Sequence, residues 1–500
     1  MSLLGIDIGS TGAKAMVFSE YGKNLASAYE EYNFIFPQPG WVEFDTNDMW
    51  EKIFRLFKKV NSNPAVKKDP VKVLSASTIA ESFTPIDKKG DILSNTIYST
   101  DTRSIKELEY VLTKISARDL FETNGYPPGF ISPLNKILWV RRNRPDLYKN
   151  TKKFLFTEDL LFHKLGLKDT KINHSLCSRT LFFDIRNNEW SEDILNEFDI
   201  DINLFSEPSL SGAEVGYIRE DIAEELGFKG RVLLVTGAHD QSAAALGVGA
   251  VKGGLAADGM GTVECISAVM DKLVINDKMF KNNFSIQTHA VGNKYITLAY
   301  NLSSGSILKW YKDTFATEEL KVAQKKNIDV YDYLFSKLDF KPSDLYVLPY
   351  FSATGTPYFD PVPKGSIIGL SLATGKKDIF KSLVEGLVFE IAFNMELLKK
   401  VGIEINEIRV TGRAAKSDYW LKLKSSITGK PIKRMNINEA GCLAVMILAG
   451  SCIGKFTVEE AILKFVRTGK EFYPDNKIAD KYKEKFERYK KVYSLISKLY

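Results

Sequence analysis

The chain has 500 residues, of which 44% are hydrophobic, 12% aromatic and 26% charged, the composition of a folded globular protein. A single hydrophobic core stops growing at about 250–300 residues, so this length predicts about two large domains with a cleft between them. Lys and Arg total 68 against 62 Asp and Glu, a formal +6 with no long basic block, which argues against nucleic-acid binding.

In chain order, residues 3–8 form an apolar run, Gly9-Ser10-Thr11-Gly12 a turn, and residues 13–18 a second apolar run. This predicts two strands joined by a tight glycine hairpin, and after a turn at 20–23 residues 25–34 supply a third antiparallel strand. Residues 47–60 place Met49, Trp50, Ile53, Phe54, Leu56 and Phe57 at helical spacing, with Thr46 or Asn47 as cap. A buried strand is expected at 71–75, then helices at 104–113, 132–144 and 157–165. The first half is therefore α/β and begins with antiparallel strands.

Residues 232–237 form another apolar strand that runs into Gly237-Ala238-His239-Asp240 and a small-residue helix reaching 249. Then Asp258-Gly259-Met260-Gly261-Thr262 and the apolar run 263–269 repeat the opening grammar of strand, acidic glycine turn, strand. The recurrence predicts two related halves, residues 1–249 and 250–500. A third glycine-bearing strand end follows 408–411, where Gly412-Arg413-Ala414-Ala415-Lys416-Ser417 leads into a helix with Trp420, Leu421 and Leu423. The basic stretch 477–490 interleaves acidic and aromatic residues and reads as the solvated face of a terminal helix.

The turns carry the candidate chemistry. In Asp7-Ile8-Gly9-Ser10-Thr11-Gly12 a carboxylate able to hold hydrated Mg²⁺ precedes amides and hydroxyls able to cradle phosphate oxygens, although an ordinary polar hairpin has the same residues. Asp240 stands at a predicted strand end, where it can accept a proton from a hydroxyl attacking phosphorus, or simply cap a helix. His239 either lines that pocket or is a buried, hydrogen-bonded histidine.

Other chemistries are excluded by inspection. There is no GxxxxGK[ST] and no GxGxxG between strand and helix, so this is not a P-loop enzyme. His163, His174, His239 and His289 have no metal-ligand spacing, and Cys177, Cys265, Cys442 and Cys452 show no CxxC, so no zinc site or disulfide framework is indicated. The start MSLLGIDIGS lacks a basic leader, and the most apolar run, 442–454, is shorter than the ~20 residues that cross a bilayer; a cytoplasmic location without membrane partners is expected.

Together these segments resemble the FGGY carbohydrate kinases of the actin-like, ribonuclease H-like ATPase superfamily, over essentially the whole chain. GIDIGSTGAKAMVF is similar to that family's first phosphate hairpin, GAHDQSAAALGVGAV to the segment bearing its catalytic Asp, and DGMGTVECI to its second hairpin. NLSSGSILKWY and VTGRAAKSDYWLKLKSSITGKPI resemble its adenine-side segments, and FPQPGWVEFDTNDMW, YSTDTRS, SRTLFFDIRNNEWSEDIL and FSATGTPYFDPVPKGSIIGLSLATGKKDIFKSLVEGLVFEI add ordered matches.

The resemblance implies an α/β fold of two ribonuclease H-like domains flanking a central catalytic cleft. Residues 1–249 would carry the sugar site, first hairpin and catalytic Asp, and residues 250–500 the second hairpin and adenine side. It implies ATP and Mg²⁺, with Asp7 and Asp240 toward the metal and Ser10, Thr11 and Lys14 near the phosphates. Asp240 would be the general base, Gly261 and Thr262 would face the γ-phosphate, and Gly305, Lys309, Gly412 and Ser417 would lie along the nucleotide. Homodimers are common in that family, though no residue pattern here demonstrates one.

Departures concern the substrate. Of the Arg-Glu pair of glycerol kinases only Glu81 remains, the Gln-Met-His-Gly run of xylulose kinases is missing, and Arg413 replaces the second glycine of the adenine-side segment. Glu81 can accept hydrogen bonds from two sugar hydroxyls, or be a salt-bridged glutamate; Asp101 is a second substrate candidate or a turn residue, and Gln241 a third. The expected activity is ATP-dependent phosphorylation of a small sugar, ketose or polyol, with a ketopentose such as xylulose foremost. The alternatives are a non-catalytic or filament-forming actin-like ATPase, or a degenerate kinase retained as a sugar-binding regulator.

Overall fold

The glycine hairpin forms where its residues place it. In the computed structural model, which describes residues 1–360, 362, 364–437 and 439–499, β1 (Ser2–Ile8) and β2 (Gly12–Ser19) pair antiparallel with Asp7 opposite Lys14. Pro361 and Pro363 of the FSATGTPYFDPVPKG segment lie outside the described residues. β3 (Asn24–Glu31) adds to β2 but ends earlier than the 25–34 run predicts. Phe34–Ile35 instead pairs with Glu43–Phe44 in a separate small sheet, where Phe34 stacks on Phe44 and packs on Tyr98, with ring centroids 4.9 and 4.7 Å apart.

α1 (Thr46–Asn61) buries Met49, Trp50, Ile53, Leu56 and Phe57. Its cap is Asp45, whose carboxylate accepts from Asp48 N at 3.1 Å, rather than Thr46 or Asn47. Thr46 is drawn inward because its hydroxyl meets that of Thr96 at 3.0 Å.

β4 (Val71–Thr78) runs parallel to β1, and β5 (Leu233–His239) parallel to β4, giving the order β3-β2-β1-β4-β5 with Glu214–Tyr217 on the outer edge. The second half repeats this arrangement. β6 (Leu255–Met260), β7 (Glu264–Met270) and β8 (Tyr295–Asn301) form the antiparallel meander, then β9 (Glu407–Thr411) and β10 (Ile432–Met435) join parallel, in the order β8-β7-β6-β9-β10. Both sheets are thus ribonuclease H-like, as the resemblance implies.

Between β4 and β5 the first half carries an insertion with helices Ile105–Lys114, Pro133–Asn143 and Thr157–Lys164, near the predicted bounds. In the second half, α3 (Gly305–Phe315), α4 (Lys376–Lys400) and α5 (Asp418–Thr428) pack around the repeated sheet. The most apolar run is a helix buried on all sides, as a helix without a polar face must be. Paired with α2 (Asp240–Gly247), this α6 (Ala440–Cys452) packs Cys442, Met446 and Ile447 with Leu3, Val73 and Val235 of the first sheet. The terminal α7 (Asn476–Tyr489) is less solvated than its charge suggests: Ile478, Tyr482, Phe486 and Tyr489 are buried, and buried Lys485 pairs with Glu385. Among the described residues, no helix is long and apolar enough to cross a membrane.

Candidate active site

β5 delivers its terminal residues through an irregularity. Its register with β4 shifts between Val235 and Ala238, and a bulge of this kind re-aims the side chains that follow. Buried Glu158 braces it, accepting from Gly237 N at 2.6 Å and from the backbone and side-chain nitrogens of Asn173 at 3.0 and 2.8 Å. Burial pushes the Glu158 carboxyl up to about 7, with these donors opposing. Ser175 Oγ then fixes His239 by accepting its N–H at 2.8 Å.

Asp240 is the first helical residue of α2, and the cap position falls to His239. Its Oδ1 lies 2.9 Å from His239 Nε2, while His239 Nδ1 is 3.0 Å from Gln287 Nε2 on the strand Ser285–Thr288 of the second half. His239 Nδ1 also lies 3.1 Å from Gln287 Oε1, so the ring is held between Asp240 and Gln287. Burial favours protonation of Asp240, but His239, the Gln241 amide and Arg179 outweigh it and hold the carboxyl below its usual range. An ionised carboxylate with one oxygen engaged and about a third of the side chain exposed is a proton acceptor in waiting. His239 is the buried, hydrogen-bonded histidine of the two readings.

Asp7 faces this group. Burial pushes its carboxyl up to about 6, Asp240 and Glu439 add to the rise, and the Ser77 hydroxyl and Lys14 oppose it. Lys14 is ion-paired with Glu439, beside the start of α6. Ser10 and Thr11 lie at the hairpin tip, where Gly9 N bonds Gly12 O at 3.0 Å and Tyr32 donates to Gly9 O at 2.5 Å. No three acidic, His or Cys side chains among the described residues close around a single ion. Asp7, a carboxylate with too little opposing charge, together with Asp240 suits instead a hydrated divalent cation that takes its other ligands from water and phosphate.

The second hairpin is tied to the start of α3. Ser304 N and Gly305 N donate to the carbonyls of Thr262 and Gly261 at 2.9 and 3.0 Å. A Cβ on Gly305 would stand 2.6 Å from Gly261 O, so glycine is what lets α3 approach. Gly412, at φ +99°, ends β9 against Met260, and Ser417 caps α5, accepting from Trp420 N at 3.3 Å. Lys309 lies apart, on the exposed face of α3 and paired with Asp313. Arg413 is exposed.

Asp258 occupies in β6 the place Asp7 has in β1, but here the charge is spent internally. Fully buried Lys424 meets Asp258 Oδ2 at 2.6 Å and also binds Glu264, whose carboxyl burial pushes up to about 7. Of the two related hairpins, only the first presents an uncompensated acid.

Glu81 sits between β4 and the strand Phe83–Ile86 at φ +56°, buried and paired with Arg179 at 2.6 Å. Lys136, wholly buried on helix Pro133–Asn143, holds this turn by donating to the carbonyls of Glu81, Tyr98 and Ser99 at 3.2, 2.7 and 2.8 Å. Gln241 is half-buried beside Asp240. Asp101 is fully buried, and its carboxylate accepts from Val42 N, Arg103 N, Nε and Nη2 at 2.6–2.9 Å. Arg179, Lys136, Glu158 and Gln287 have no assigned role from the sequence. The one available signal was a charge inside an apolar helical run, Lys136 within PLNKILWV.

Comparisons with known proteins agree with this fold. Residues 2–247 match the model of the FGGY family of carbohydrate kinases, N-terminal domain, and residues 259–452 that of its C-terminal domain. The chain is 26% identical to a xylulose kinase of Staphylococcus epidermidis, over 99% of this chain and 97% of that protein. It is 24% identical to a gluconokinase of Bacillus subtilis, over 96% and 93%. A ligand-bound xylulose kinase structure from Lactobacillus acidophilus superposes with a TM-score of 0.90 at 20% identity, covering 99% of this chain and 98% of that one.

Proposed function

Because the chain belongs to the FGGY family of carbohydrate kinases, we propose that it transfers the γ-phosphoryl group of ATP to a hydroxyl of a small sugar, ketose or polyol, a ketopentose such as xylulose foremost. The observation that carries this reading is the ionised Asp240 at the end of β5, facing Asp7 of the first hairpin. The relatives named xylulose kinase support the ketopentose, and gluconokinases of similar identity keep the acceptor open at that level.

Asp240 takes the proton of the attacking hydroxyl on the carboxylate oxygen that His239 leaves unengaged, as the substrate oxygen bonds to phosphorus. The bond from phosphorus to the bridging oxygen breaks and ADP departs. Ser10, Thr11, Gly261 and Thr262 supply hairpin amides and hydroxyls to phosphate oxygens. Asp7 and Asp240 would hold Mg²⁺, which supplies charge neutralisation at those oxygens. Since phosphoryl transfer depends mainly on positioning and charge stabilisation, the braces on β5 matter as much as the base they present.

Asp240→Asn keeps the shape and loses the base. Its sugar-dependent ADP release should fall by about a thousandfold while nucleotide affinity, measured by calorimetry, stays near that of the parent. Full turnover in this variant would overturn the assignment.

A further inference from the structure

Gln287 reaches from one half of the chain into the other. It lies on the strand Ser285–Thr288 of the second half, fully buried, and its amide stands against His239 of the first. Oε1 and Nε2 of that amide are 3.1 and 3.0 Å from His239 Nδ1, and Nε2 also donates to Ser242 Oγ at 3.0 Å. Ser242 in turn donates to the carbonyl of Thr288 at 3.0 Å, which closes the contact into a loop. An amide can meet a ring nitrogen with its carbonyl or its NH2, so the imidazole keeps this neighbour in either tautomer.

The strand that carries Gln287 is itself tied to both halves. It pairs with β8, setting Gln287 opposite Ile296, and β8 pairs with β7 in the sheet whose β6–β7 turn is the second hairpin. Toward the first half, Ile286 N donates to Gly125 O at 2.7 Å and Thr288 N to Ser178 Oγ at 3.2 Å. The far end of α2 is gripped as well, because Arg409 Nη1 on β9 donates to the carbonyls of Val248 and Gly249 at 2.9 and 2.8 Å. The helix that begins with Asp240 is thus held at both ends by the second half.

On the sugar-kinase reading above, we propose that Gln287 is a positioning residue for the base. It holds the His239 ring, whose Nε2 lies 2.9 Å from Asp240 Oδ1, and so sets the rotation of that carboxylate relative to the second hairpin carried on the same sheet as Gln287. Transfer requires base, acceptor hydroxyl and phosphorus to be aligned, and a misplacement of about 1 Å costs about a hundredfold in rate. The effect of Gln287 passes through the His239 ring.

A double-mutant cycle tests this, with kcat and KM measured on the pH plateau for ATP and the best acceptor of a panel of ketopentoses, ketohexoses, polyols and aldonates. Gln287→Met keeps the length of the side chain and loses the amide. It should lower kcat by about tenfold and leave both KM values within about twofold of the parent's. In a His239→Leu background the same substitution should lower kcat by less than about twofold, because the ring it acts through is gone. Ser178→Ala, which removes a tie of the same strand without touching His239, should keep the parent's kcat. Thermal melts identify variants that fail to fold, and if Gln287→Met is one, Gln287→Asn, which withdraws the amide by one methylene, takes its place in the cycle. An equal loss of kcat in both backgrounds, an unchanged kcat, a loss confined to KM, or a loss in Ser178→Ala as large as that in Gln287→Met overturns the role of Gln287 and leaves the kinase reading intact. No transfer to any acceptor by a parent that binds ATP overturns the kinase reading itself.

Discussion

Asp240 owes its chemistry to its neighbours. Burial raises its pKa, and His239, the Gln241 amide and Arg179 outweigh that rise and hold the carboxyl below its usual range. His239 has no room to turn, with Nδ1 on Gln287 and its backbone N–H on Ser175. Replacing it by leucine removes an interaction that lowers the Asp240 pKa, so that value should rise. The carboxylate is active only above its pKa, so the acid limb of the kcat/KM profile for His239→Leu should move to higher pH. A profile superimposable on the parent's would show that His239 does not tune the base. The residue scale also separates Asp7 from Asp258. The two stand at equivalent places in related hairpins, yet Lys424 neutralises only the second, and no local pattern around residue 258 announces a lysine 166 positions away.

At the scale of elements, the hairpins were legible because glycine turns between apolar runs have few other uses. Their docking was not. In NLSSGSILKWY the resemblance sets Gly305 along the nucleotide, but nothing local says that in the fold it admits α3 to the Gly261 carbonyl. Gly305→Ala should force the second hairpin and α3 apart, weakening nucleotide binding by about tenfold with little change in thermal midpoint. Calorimetric titration with nucleotide measures this, and an unchanged affinity would mean the contact does not set the hairpin's position. The same scale explains β3 and α1. Periodicity continues the strand to 34, but Phe34 finds a better stack on Phe44 in another sheet. The α1 cap moves one residue because Thr46 is claimed by Thr96.

Across the whole molecule, the halves of the chain are not halves in space. α6 belongs to the second half by sequence, yet it packs on the first sheet and against α2, the helix that begins with Asp240. A Cβ on Gly247 would collide with the carbonyl of Ala440, so small residues set the spacing of these helices. Gly247→Ala should therefore destabilise the protein by about 1–3 kcal/mol in denaturant titrations. A neutral result would show that the helices can separate without cost.

The sequence by itself determined the repeated hairpin grammar and the α/β class and marked the candidate acids, because short-range spacing encodes turns, strands and helix faces. Tertiary structure decided which of those acids stay charged and uncompensated. Asp101 is absorbed by Arg103, Asp258 by Lys424, and Glu81 is half-engaged by Arg179, while Asp240 and Asp7 are left facing one another. Electrostatic fate depends on partners that the fold brings from distant positions, and spacing along a chain does not record them.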